Sequence, residues 1–249
     1  MTDPALWCTM LKGRAGRVGV LRRPGLSLSE TGTSRNTQTT EDDMRDQLFL
    51  PIEKFSLFHR YYLFFDTETA GLPKNYHALT HWLSNWPRLV QLSWITTDED
   101  CNVLSENDYI IYPEGFTIPE DAVRLHGITT EIAKEKGKPL KEVVDKFMED
   151  FNAATTIVGH NIDFDKKIIG AELIRLGRND IMSSKEALCT MKGSVDYCKI
   201  PSSHGYKWPK LQELHKKLFG CEFEDAHNSM SDVKATLKCF KEMKKLGWF

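Results

Sequence analysis

The sequence predicts an α/β domain, a mixed sheet of about five strands flanked by α-helices. Two observations carry that expectation. Apolar strand-like runs come first, and strand and helix patterns then alternate toward the C-terminus. With 249 residues, 41% hydrophobic and 27% charged, the chain is long enough for one large domain with an extension, or two small ones.

Each element has a local reason. "YYLFFD" from Tyr61 and "RLVQLSWITT" from Arg88 read as strands rich in aromatic and β-branched residues, and "YIIYPEG" from Tyr109 as a third. "LKEVVDKFMEDFNAA" puts Leu140, Val143, Val144, Phe147 and Phe151 on one helical face. "TTIVGH" is a short buried strand, and "DFDKKIIGAELIRLG" an amphipathic helix stopped by Gly177. "EALC" is a short strand. "PKLQELHKKLFG" is a helix with Pro209 near its start and Gly220 at its end, and "SMSDVKATLKCFKEMKKLG" is the last helix.

Residues 1–58 have a different character. From Pro4 to Ser29 they carry Lys12, Arg14, Arg17, Arg22 and Arg23 with no acid, followed by the polar "SETGTSRNTQTTEDD". Low apolar content without periodicity predicts a largely disordered N-terminal extension before a domain at 59–249. An acid-poor, Arg-rich start also fits a transit peptide or a basic nucleic-acid arm. No apolar run approaches the ~18 residues of a membrane span, so no membrane partner is expected. The six cysteines are scattered with no C-x-x-C pair, which suits reduced thiols in a cytoplasmic compartment. A formal net charge of -2 does not announce a nucleic-acid partner, although metal-neutralised acids would hide one.

Acidic residues cluster at three places. Asp66 and Glu68 stand at i and i+2 where the first strand ends, so they point the same way. Like charges held together raise one another's pKa unless a cation lies between them. Taken alone, this pair is an ordinary Asp- and Gly-rich turn. The second place, "GHNIDFDKKII", offers Asn161, Asp163 and Asp165 at a strand-to-helix boundary, where they could equally cap the helix. In the third, "DAHNSMSDVKAT", Ser229 and Asp232 match a capping box. His227 and Asp232 would lie ~140° apart on one continuous helix. A helix starting near Asn228 or Ser229 leaves His227 on the loop before it and lets both face one rim of the sheet, where open α/β sheets hold their ligands.

Four carboxylates and a histidine suit a specific chemistry. Hard oxygen donors select Mg²⁺ or Mn²⁺ over zinc. Two such ions ~3.5–4 Å apart can clamp the attacking and leaving oxygens of a phosphodiester. A histidine with pKa near ~6.5 can accept the proton of the attacking water.

In order and spacing, Asp66-x-Glu68, Asn161-x-x-Phe164-Asp165 and His227-x4-Asp232 resemble the three motifs of the DEDDh 3'→5' exonucleases. That family includes the epsilon proofreading subunit of bacterial DNA polymerase III, ribonuclease T and oligoribonuclease. "FFDTETAGLP", "LHGITTE" and "KLQELHKKLFG" agree with it, and the similarity runs from about Tyr61 to Lys241. The resemblance implies a ribonuclease-H-like fold. It implies two divalent ions, Mg²⁺ or Mn²⁺, on Asp66, Glu68, Asp165 and Asp232, with His227 as general base. The family spacing from Asn161 selects Asp165 over Asp163. No tyrosine stands where the tyrosine variant of the superfamily has one. Thr67, Thr69 and Leu72 would line the pocket for a 3'-terminal nucleotide, with Asn161 and Phe164 supporting it. Ala70 departs from the family, whose members often carry a second threonine there.

Two segments lie outside these motifs. "PKNYHALTHWLSNWPR" (Pro73 to Arg88) holds Tyr76, His77, Trp82 and Trp86, and "KIPSSHGYKWPK" (Lys199 to Lys210) mixes lysines with Tyr206 and Trp208. Aromatics with cations suit stacking of unpaired bases, and they equally suit packing under the loops. The expected activity is metal-dependent 3'→5' exonuclease action on single-stranded ends, releasing nucleoside 5'-monophosphates, with DNA favoured over RNA. The competing expectations are a partner-dependent proofreading subunit of a DNA polymerase and a catalytically silent binding module.

Overall fold

The computed structural model describes residues 61–249; the expected extension over 1–58 lies outside the described residues. Five strands form one sheet in the order β3-β2-β1-β4-β5. They are β1 (Tyr62–Thr69), β2 (Leu89–Thr97), β3 (Val103–Ile110), β4 (Thr156–Gly159) and β5 (Glu186–Cys189). β1 pairs antiparallel with β2 and parallel with β4, so the sheet is mixed as expected, with the ribonuclease-H-like order.

The alternation of β1 explains the layering. Leu63 and Phe65 point to one face and pack with Trp94, Phe147, Phe151 and Ile168. Tyr62 and Phe64 point to the other and pack with Val158, Val233 and Phe240. The first face is covered by α3 (Leu140–Ala153) and α4 (Ile162–Arg175), the second by α6 (Ser229–Lys245), after α5 (Leu211–Phe219). Continuing the alternation, Asp66 and Glu68 face α6, and Thr67 faces α4.

Several boundaries differ from the sequence expectations. The third strand is Val103–Ile110, not the run starting at Tyr109. It is an edge strand with half-exposed residues, so it lacks the apolar signature that made "YIIYPEG" look like a strand. Its neighbour Ile111 still donates its amide to the Val90 carbonyl of β2 (2.8 Å) and also bridges Lys138. Asp66 and Glu68 lie among the last residues of β1, which ends at Thr69, as expected. Two seven-residue helices, α1 (Glu120–His126) and α2 (Thr130–Lys136), had not been anticipated; they are too short to show periodicity and are closed by Gly127 and Gly137. Among the described residues, Cys101, Cys189, Cys198 and Cys239 are free thiols.

One buried ion cluster ties the layers. Glu172 of α4 is fully buried, and its Oε1 accepts from the Leu89 amide (2.9 Å) and from Arg88 Nε (3.0 Å), with Arg175 Nη1 at 3.0 Å. Arg175 Nη2 also donates to the carbonyls of Leu83 and Trp86. The segment before β2 is therefore anchored to α4.

Candidate active site

The C-terminal end of β1 gathers the predicted acids. One oxygen each of Asp66, Glu68 and Asp232 lies within 4.8 Å of the others. Asp66 and Glu68 arrive by strand alternation. A register irregularity between Glu68 and Thr69, opposite β2, shifts the local backbone, a device common beside sites. Asp232 comes from the first turn of α6. Asp165, from the first turn of α4, stands outside that trio but close enough to raise the Asp66 and Glu68 carboxyls. Its Oδ1 accepts from the Thr67 amide (3.1 Å) and hydroxyl (2.7 Å). Asp163 points away and forms an exposed ion pair with Lys192.

Burial sets the electrostatics. Burial first, then Asp232 and Asp165, pushes the Glu68 carboxyl up to about 8. Asp66 is raised well above the ordinary range by burial, then by Asp165, Asp232 and Glu68. Burial also raises Asp165 and Asp232. Carboxyls raised in this way release their protons less readily than isolated ones, and a divalent cation reverses that preference. The donor set fits such an ion: all oxygens, with Asp232 Oδ1 buried and lacking any hydrogen-bond partner. That orphan acceptor points to a cation rather than to a further protein donor.

The N-terminus of α6 is built by residues the motifs did not reveal. Asn228, not Ser229, is the cap: its side chain accepts from the Ser231 amide. Ser229 instead donates its hydroxyl to the Asp66 carbonyl (2.7 Å), and its amide donates to Gln91 Oε1 (3.4 Å). Gln91 Nε2 and Ser93 Oγ both donate to Asp108. The helix carrying Asp232 is thus bonded to the strand carrying Asp66. The signal for this was polar Gln91 and Ser93, alternating with apolar residues inside "LVQLSW".

His227 lies on the loop before α6 with a left-handed backbone (φ 68), and its amide donates to Asp232 Oδ2 at 3.3 Å. Its exposed side chain borders a recess of about 470 Å³ shared with His126 and Asp225. Among the pocket candidates, the Thr69 hydroxyl donates to the Gly71 carbonyl (2.6 Å) and Leu72 is 72% exposed. Asn161 occupies the cap position of α4 in a left-handed conformation (φ 72), yet its side chain makes no capping bond. The Phe164 ring lies 6.4 Å from that of Tyr76.

With this geometry in place, comparison with known proteins is specific. The family model described as "RNase_T: Exonuclease" matches residues 63–240. The chain is 30% identical over 175 residues to the PolC-type DNA polymerase III of Pediococcus pentosaceus, covering 70% of this chain and 11% of that protein. It is 25% identical over 179 residues to DNA polymerase III subunit epsilon of Treponema pallidum, covering 72% and 74%. E. coli Exonuclease I, solved in complex with a dA16 oligonucleotide, superposes with a TM-score of 0.59 at 23% identity, covering 75% of this chain and 41% of that one, which shows a shared fold. The chain thus spans about a tenth of the PolC-type relative and under half of Exonuclease I.

Proposed function

The chain belongs to the exonuclease family, and from that premise we propose that it removes nucleotides from single-stranded 3' ends, releasing nucleoside 5'-monophosphates. The observation that carries this is the meeting of Asp66, Glu68 and Asp232 within 4.8 Å at one strand end, with Asp165 beside them. We assign the activity to residues 59–249. Two Mg²⁺ or Mn²⁺ ions on these carboxylates would supply positive charge for the phosphodiester and acidify the attacking water.

The chain's own residues do the rest. Thr67 locks Asp165 in one rotamer through two bonds to the same oxygen, and Ser229 keeps α6 against β1 so that Asp232 stays aimed at Asp66. His227, exposed and next to the cluster, accepts a proton as general base. Thr69, Leu72, Asn161 and Phe164 border the place for the terminal nucleotide. DNA is favoured because the relatives are DNA polymerase chains and because the fold matches Exonuclease I, solved with DNA. Mg²⁺, nucleic acid and the free thiols of the domain all suit a cytoplasmic setting.

The test is digestion of matched 5'-labelled single-stranded DNA and RNA with Mg²⁺, Mn²⁺ or EDTA, alongside Asp232→Asn. A metal-dependent ladder shortening from the 3' end, lost in the variant, is expected. Unchanged turnover in Asp232→Asn refutes the assignment.

A second reading is proofreading in association with a polymerase, favoured by the PolC-type and epsilon relatives. A polymerase that co-purifies with the intact chain and raises its turnover would support it.

A further inference from the structure

The two aromatic segments outside the motifs converge. Tyr76, Leu79 and Trp86 from the first, and Trp208 from the second, line one groove of about 800 Å³ together with Asn161, Phe164, Lys166 and Lys192. Asn161, Phe164 and Lys166, at the start of α4, border this groove, and Asp165 of the acid cluster belongs to the same helical turn. The Phe164 ring lies 6.4 Å from that of Tyr76.

Its walls are held while its faces stay open. Lys167 Nζ donates to the carbonyls of Tyr76 (2.8 Å) and Ala78 (3.1 Å) and sits over the Trp86 ring. Trp86 itself is buried and donates to the Leu79 carbonyl. On the other side, His160 Nε2 bonds to the Pro209 carbonyl at 3.0 Å, fixing the strap next to Trp208. Yet Trp208 is 61% exposed and Tyr76 51%. Large aromatic faces on a braced backbone, open to water, are pre-organised for a planar ligand.

The charges narrow the ligand. Both lining acids have partners: Asp163 pairs with Lys192, and Asp180 accepts from the Thr80 hydroxyl (2.8 Å). Lys166, directly after Asp165, makes no ion pair among the described residues and is half-buried in the groove. Flat apolar faces with an uncommitted cation suit bases joined by phosphates better than an acidic or aliphatic peptide.

We propose that this groove binds the single strand behind its 3'-terminal nucleotide, with bases stacking on Tyr76 and Trp208 and a phosphate held by Lys166. This rests on the exonuclease reading for the direction of the strand. The groove makes the enzyme sensitive to substrate length, so that an oligonucleotide reaching Trp208 binds more tightly than a dinucleotide.

The experiment measures binding of 5'-fluorescein-labelled oligothymidylates of two and twelve residues to the full chain in EDTA, with oligouridylates as the ribose arm. The wild type should bind the twelve-mer more tightly. Trp208→Ala and Tyr76→Ala should each weaken that binding about tenfold and shrink the length advantage. Lys166→Ala should lower the slope of log affinity against log salt by about 0.7. Trp82→Ala, removing a tryptophan that is 52% exposed but outside the groove, should change nothing. Tyr76 and Trp208 are exposed, so both variants should melt like the wild type, which matched melting curves check. Equal affinity of wild type, Trp208→Ala and Tyr76→Ala for the twelve-mer overturns the proposal and leaves the groove to a protein partner. Digestion in Mg²⁺ separates the two ideas. Oligonucleotides bound through the groove but left uncut refute the hydrolytic reading alone, whereas cutting without any length dependence refutes the groove alone.

Discussion

Replacing Glu68 with glutamine keeps the shape of the side chain and removes one of the four crowded charges. Folded Glu68 has its carboxyl pushed from the ordinary 4.5 up to about 8, so the folded state holds a proton that the unfolded chain releases. The stability this contributes is fully present below the unfolded value and is lost as pH rises through the folded one. At ~1.4 kcal/mol per pH unit the whole gap corresponds to about 5 kcal/mol. Side-chain relaxation and water entry around so crowded a group reduce the expression of this to about 2–3 kcal/mol. Thermal melts in EDTA should therefore show wild type and Glu68→Gln alike near pH 4.5, with the variant more stable at pH 8.5. The difference should be about 5–10 °C in Tm for a domain of this size. Groups remote from the cluster, among them His160, which burial lowers to about 4, titrate alike in both proteins and drop out of the difference. Saturating Mn²⁺ should restore the wild type at pH 8.5 and help the variant less. A variant no more stable than wild type in EDTA at pH 8.5 would refute the account of the cluster as a cation site held under repulsion.

Two further outcomes follow from the supports of the site. Ser229→Ala removes the bond to the Asp66 carbonyl and should cost about 1–2 kcal/mol in urea unfolding, together with a fall in kcat that exceeds any change in KM. Glu172→Ala takes the carboxylate partner from Arg88 Nε, Arg175 Nη1 and the Leu89 amide beneath the groove wall and should cost about 3–5 kcal/mol; a loss under about 1 kcal/mol would show that the cluster does not anchor the segment.

Much of the fold was legible because its signals are local. The helices at Leu140–Ala153 and Ser229–Lys245 carry apolar periodicity that needs no partner to be read, whereas Ile162–Arg175, expected to be amphipathic, is buried over most of its surface, including Gly170, Ala171 and Glu172. β1 is central and buried on both faces, so its apolar run is unmistakable. β3 is an edge strand whose alternation is diluted by exposure, so the sequence signal falls on the apolar run that overlaps its end rather than on Val103–Ile110. Helices of seven residues such as Glu120–His126 offer too little length for a period to show.

Within the site, sequence alone determined which residue types were available and that Asp66 and Glu68 share a face, since strand alternation is a property of the backbone. It also identified the motif order that pointed to Asp165 and Asp232. Only the tertiary structure decided that Asp163 turns to Lys192 while Asp165 turns to Thr67, because that choice depends on which neighbours α4 meets across 98 residues of chain. The same holds for Ser229: its spacing to Asp232 spelled a helix cap, but β1 offered the Asp66 carbonyl and Asn228 took the capping role. A capping signal is written in four consecutive residues, whereas a hydroxyl's final partner is whatever unsatisfied acceptor the packed sheet brings within reach.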